Sequence, residues 1–149
     1  MTSIKQLIFF ISTKYNNTEV SLLLLRIVFG LIMLINHGIS KITSDKIRWE
    51  KLGSALTDLI GLDFLNTFFG FMASLSESIG ALLIVFGLFT RYASLLLFIT
   101  MLVASLHHIH DNQFPELAIL YGVFFLALIF SGPGKYSLDH LYYLKSKMR

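Results

Sequence analysis

The stretch Val20-Ser-Leu-Leu-Leu-Leu-Arg26-Ile-Val-Phe-Gly30-Leu-Ile-Met-Leu-Ile35 is apolar apart from Ser21 and Arg26. It is too long for a core strand and shows no period-two alternation. It also lacks the polar face of a soluble amphipathic helix. With its flanks it reaches the roughly 20 mostly apolar residues that a membrane-crossing helix needs. Arg26 tests this reading. A central arginine costs about 2.5–3.5 kcal/mol on the insertion scale, while each Leu, Ile, Val or Phe returns about 0.3–0.6. The dozen such residues between Val20 and Ile35 outweigh it. The helix therefore inserts, and its arginine seeks a partner inside the protein.

Working outward, three more runs read the same way. Phe64 to Phe89 carries one charge, Glu77; Tyr92 to Leu106 runs into His107; Leu117 to Gly134 carries none. These predict an all-α, four-helix transmembrane bundle in a single domain, with spans at about 18–38, 64–88, 91–109 and 115–131. Composition agrees. The 149 residues are 55% hydrophobic and only 14% charged, against about 25% charged in a soluble domain. Too few polar side chains exist to coat a globule, which argues against a soluble enzyme and a disordered tail. The net charge of +3 comes without a basic, aromatic-interleaved stretch, so no nucleic-acid partner is expected. No cysteine is present, which excludes disulfides, Cys-ligated zinc, iron–sulfur clusters and dithiol redox chemistry within the chain.

Orientation follows from Lys and Arg outside the spans. Lys5, Lys14, Arg91, Lys135, Lys145, Lys147 and Arg149 fall on one side, and Lys41, Lys46, Arg48 and Lys51 on the other, seven against four. Both termini are thus expected in the cytoplasm of a bacterial inner membrane, with loops 39–63 and 110–114 outside. Residues 1–15 read as an amphipathic lead-in rather than a signal peptide, because Leu7 to Ile11 is too short an apolar region. In the first outer loop, Ser44-Asp45 gives a helix-cap signal. Ile47, Leu52, Ala55, Leu56 and Leu59 follow as an apolar stripe, and Trp49 suits an interface. This predicts a short interfacial helix over the outer mouth of the bundle, either a lid or a simple anchor.

Ionisable groups at membrane depth mark function or a structural pair. Counting the helical rise places Arg26 about 12 Å and Glu77 about 16 Å from the inner ends of their helices. The two are therefore expected to pair, either as a salt bridge that only neutralises both or as a charge site for a polar head group or a proton. Arg26, Gly30, Met33 and His37 share one helix face, with Lys41 a turn beyond. Gly70, Ala73, Glu77, Gly80 and Ala81 share another, small enough for close helix approach. At the outer mouth the reading gathers His37, Lys41, His107, His108, His110, Asp111 and Glu116. Three uses compete: a polar cap, a quinone or small-molecule head-group site in which His and Glu handle protons, and a metal or haem site on His37 and His107. The absence of HxxxH and HExxH spacing counts against the last, so no metal or haem is expected. Gly132-Pro-Gly-Lys-Tyr-Ser-Leu-Asp139 reads as a turn that stops the fourth helix, with Ser137 or Asp139 capping a short helix after it.

Taken in order, Arg26, His37-Gly38 with Lys41, Glu77-x-x-Gly80, Gly87-Leu-Phe-Thr-Arg91 and Gly132-Pro-Gly-Lys-Tyr-Ser-Leu-Asp139 resemble the DoxX family, from about Leu22 to Asp139. The resemblance implies a small four-helix inner-membrane protein similar to the membrane subunit of thiosulfate:quinone oxidoreductase. Other members are associated with membrane complexes that handle thiosulfate and oxidative stress. It carries over Arg26, His37, Lys41, Glu77 and Arg91 as matching polar residues. His108 and His110 have no counterpart. The expected function is a membrane subunit of a quinone-linked oxidoreductase. Glu77, His37 and His107 would do the proton chemistry, and Arg26, Lys41, Glu116 and Arg91 would hold the ligand. Quinone is the expected cofactor, and a partner subunit or a second copy is expected to complete the activity. The alternative is a non-catalytic membrane scaffold or small-molecule carrier.

Overall fold

A computed structural model describes residues 18–147, and these are helical almost throughout. The expected lead-in over residues 1–15, and Lys5, Lys14 and Arg149, lie outside the described residues. Six helices follow one another: α1 (Thr18–Ile42), α2 (Lys46–Ile60), α3 (Asp63–Phe86), α4 (Thr90–His110), α5 (Glu116–Ser131) and α6 (Leu138–Lys147). Three of them, α1, α3 and α4, have 25, 24 and 21 residues and are long and apolar enough to cross a membrane. The fourth expected span corresponds to α5, which is apolar but has 16 residues, or about 24 Å of helix.

Successive long helices run antiparallel, so the bundle has two ends. The start of α1, the α3–α4 turn and the link into α6 gather at one, here the tail end. The α1–α2 connection and residues 111–115 gather at the other. The core lies between the helices, where Met33, Ile84, Leu97, Phe125 and Leu128 are fully buried. Phe29 stacks on Phe124 with ring centroids 4.3 Å apart. The outward faces carry exposed Leu, Ile, Val and Phe side chains along α1, α4 and α5.

The α2 helix begins where the sequence signals it. Asp45 accepts a hydrogen bond from the Arg48 backbone N–H at 3.0 Å, which satisfies one of the unpaired donors of the first turn. What the helix buries differs from expectation. It pairs with α3 backbone to backbone: a Cβ at Gly53 would overlap the Asn66 carbonyl, and one at Gly70 would overlap the Trp49 carbonyl. Thr57 Oγ1 hydrogen-bonds Asn66 Oδ1, and Trp49 packs edge-on to Phe71. The seam therefore consists of small and polar residues, while Ile47 and Leu59 of the expected stripe are exposed.

Both α1 and α3 contain one π-helical turn, Leu34–Gly38 and Ser76–Gly80. Such turns insert an extra residue into the helical count and recur at functional sites. The two turns meet, with Gly38 against the Glu77 backbone so closely that a Cβ there would overlap the Glu77 carbonyl.

Candidate functional site

Glu77 lies inside the α3 π turn and is 2% exposed. A lone carboxylate at that depth would be strongly disfavoured. Its partner is Lys41, in the last turn of α1. The ammonium sits 2.7 Å from Oε1 and 2.6 Å from Oε2. The Lys41 side chain keeps 20% of its surface exposed. Trp49 Nε1–H donates to the Lys41 carbonyl at 2.8 Å, which ties α2 to the end of α1.

The pair borders a cavity of about 940 Å³ bounded by α2, α3 and α4. Leu52 and Leu56 of α2, Phe69 and Met72 of α3, and Leu96 and Val103 of α4 make its walls mostly apolar. It runs from Phe89 and Tyr92 towards His107 and His108, and Tyr92 to His108 spans about 24 Å of helix. Its polar groups are few. Thr100 Oγ1 lies 3.2 Å from Ser76 Oγ and 2.9 Å from the Leu96 carbonyl, so two hydroxyls sit beside Glu77 in the groove wall. Thr100 is the midpoint of α4. The Glu77 and Thr100 level is therefore near mid-helix, about 15 Å from either end of α4.

Three of the expected site residues, Glu77, Lys41 and His107, line this groove. The others stand elsewhere. His37 is half-buried and packs edge-on against Tyr121 of α5 at 6.1 Å. Glu116 is exposed in the first turn of α5. Arg91 is exposed beside Gly132 at the tail end. The helix-end histidines meet their own neighbours: His107 Nε2 lies 3.6 Å from Asp111, and His108 Nδ1 lies 3.1 Å from Gln113. Among the described residues no three His, Asp or Glu side chains group so as to hold a metal ion.

The expected Arg26–Glu77 pair is corrected. Gly38 is the α1 residue that meets Glu77, and Arg26 lies twelve residues earlier, about 18 Å along the helix. Arg26 is 1% exposed and serves the tail end. Its guanidinium donates to the Pro133 carbonyl at 2.6 Å and to the Tyr136 carbonyl at 2.5 Å. The Asp139 carboxylate, assigned from sequence to α6, instead accepts from the N–H groups of Phe89 and Thr90 at 2.8 and 2.9 Å and caps α4. Ser137 Oγ accepts from His140 N–H and caps α6 as expected. The Gly132–Asp139 segment is thus a clasp holding three helix ends together. Arg26→Leu removes two charge-assisted hydrogen bonds, each worth about 1.5–3 kcal/mol. Denaturant unfolding in detergent is expected to show a loss of about 3 kcal/mol or more.

Ser76, Thr100, Arg48 and Lys51 also line the groove and escaped the sequence reading. The legible signal was spacing: Tyr92, Leu96, Thr100, Val103 and His107 follow one face of α4.

All groove residues from Lys41 to His108 fall within a segment that a known family shares. The DoxX family profile matches residues 21–109. The chain belongs to the DoxX family. It is also 34% identical over 130 residues to an uncharacterized protein of Haemophilus influenzae, covering 81% of this chain and 90% of the relative. No solved structure matches it. A DoxX chain with three helices fit to cross a bilayer is a multi-pass membrane protein. The matched segment ends before the Gly132–Asp139 clasp.

Proposed function

We propose that this DoxX protein is a membrane subunit of a quinone-linked oxidoreductase, and that quinone occupies the groove beside Glu77. One observation carries the reading: a buried carboxylate–ammonium pair is set into the wall of a long apolar groove. Mostly apolar pockets with a few convergent polar groups are the usual form of small-molecule sites. The groove fits the chemistry of a quinone, since its apolar length suits an isoprenoid tail and its polar side offers donors. Lys41 and the hydroxyls of Ser76 and Thr100 would orient a carbonyl oxygen, and Glu77 would hold a proton at that atom. His107, at the more exposed end, would exchange protons with water. Bound quinone supplies two-electron, two-proton redox chemistry. Lacking cysteine, the chain itself cannot carry a persulfide, so electrons from a sulfur compound or an oxidative-stress donor would come through a partner subunit.

The same reading takes α1, α3, α4 and α5 as four spans in a bacterial inner membrane. The tail end faces the cytoplasm with Arg91, Lys135, Lys145 and Lys147, and α2 lies on the outer side, in line with the Lys/Arg bias. The test is solvent extraction of gently purified protein followed by quinone detection. Quinone bound to this chain is expected. A stable partner enzyme co-purifying without quinone would instead favour the scaffold, and neither quinone nor redox activity would overturn the proposal.

A further inference from the structure

The α2 side of the groove carries charge that the Lys41–Glu77 pair does not cancel. Arg48 and Lys51, one turn apart on α2, line the same cavity as His107 and His108 at the end of α4. Among the described residues Glu77 is the only carboxylate in that lining, and Lys41 already holds it. Arg48 Nη1 donates to the Ser40 carbonyl at 3.2 Å. That contact fixes its guanidinium at the end of α1 and leaves the other donors of the five-donor fork free. Among the described residues no carboxylate pairs with Arg48 or Lys51, whereas Lys46 on the same helix meets Glu50 at 3.5 Å. His107 stands seven residues beyond Thr100, about 10 Å towards the helix end.

We propose that this end of the groove binds the phosphate of an anionic phospholipid, with an acyl chain lying along the apolar wall below it. Charge complementarity selects the occupant. Two exposed, unpaired cations at the rim of an apolar groove match an amphiphile with a negative head. A juxtamembrane Lys or Arg attracts an anionic lipid by a term that grows with each added cation, and a guanidinium fork suits phosphate oxygens. The phosphate seat uses neither Lys41 nor Glu77, and it adjoins their pair, because the Ser40 carbonyl that anchors Arg48 belongs to the chain neighbour of Lys41. The acyl chain and a quinone tail share the apolar wall, so the two ligands compete for the groove while their head groups use different side chains.

Binding of dioleoyl phosphatidylglycerol and dioleoyl phosphatidylcholine to the delipidated full chain, followed by native mass spectrometry, tests the proposal. Phosphatidylglycerol is expected to bind more tightly. Arg48→Gln with Lys51→Gln is expected to weaken it on the order of 30-fold. Lys46→Gln removes one positive charge outside the groove and is expected to leave affinity unchanged. Should the double variant fold poorly, Lys51→Gln alone, whose side chain makes no hydrogen bond among the described residues, is expected to weaken binding several-fold. Equal affinity for the two lipids would overturn the proposal, as would an equal loss in Lys46→Gln. Displacement of the lipid by excess inorganic phosphate would also overturn it, since the site would then recognise the anion without the chain.

Discussion

Gly70→Ala is expected to detach α2 from the bundle and sharply reduce the yield of folded protein. The added Cβ would overlap the Trp49 carbonyl oxygen and crowd its carbonyl carbon at 2.6 Å. Both are backbone atoms of a helix, so no side-chain rotation relieves the contact and the two helices must separate. Overpacking a well-filled site commonly costs about 1–3 kcal/mol, and a forced backbone shift places this variant at or above the top of that range. Separation also breaks the Trp49 hydrogen bond to Lys41 and removes one wall of the groove. Limited proteolysis in detergent is expected to cut within α2 in the variant and not in the parent protein. Gly80→Ala serves as the control. A Cβ there meets the Leu97 side chain at 3.6 Å, an ordinary contact, and stability is expected to change by less than about 1 kcal/mol. Equal behaviour of the two variants would contradict the close α2–α3 seam.

The second large effect concerns the ion pair. Lys41→Met leaves Glu77 buried without its cation, and breaking a buried pair by removing one partner typically destabilises by about 3–5 kcal/mol. Glu77→Met leaves the partly exposed Lys41 without its anion and is expected to cost less. The double variant Lys41→Met/Glu77→Met removes both charges. Replacing a buried pair by apolar side chains of similar volume is often neutral or stabilising. Chemical unfolding is therefore expected to rank Lys41→Met as the weakest of the three, with the double variant near the parent. Additive losses in the double variant would mean that the two side chains do not interact. The double variant matters for function because it keeps the fold while removing the charged groups.

Much of the architecture was legible because membrane helices announce themselves by length and apolarity. The runs around Arg26, Glu77 and Leu97 fall on α1, α3 and α4, and Ser44-Asp45 marked the start of α2 within a residue or two. The partner of Glu77 was not legible for a local reason. The depth count assumed uninterrupted α-helices that start together, but Gly30 already faces Ala81 and Val85 and the Arg26 guanidinium reaches Gly87, so the first turns of α1 extend past the end of α3, and both helices also hold a π turn. Each π turn shifts the residues beyond it relative to a 3.6-residue period, so a face drawn through Arg26, Gly30, Met33 and His37 does not identify the residue that meets Glu77. Arg26 was rightly read as needing an internal partner. That partner was a pair of carbonyls in the Gly132–Asp139 segment, more than a hundred residues away, and no periodicity within a helix points there. The groove was hidden for a third reason. It is made from faces of three helices, so the stripe of α2 was visible but not the wall it faces.

On the proposed function, the Lys41–Glu77 pair in the groove is the working site and not only a structural bond. Quinone reduction in membranes containing Lys41→Met/Glu77→Met at the parent protein's level tests it most directly. A folded, inserted protein whose quinone-dependent activity is lost is expected. Activity equal to the parent at equal protein level would contradict it.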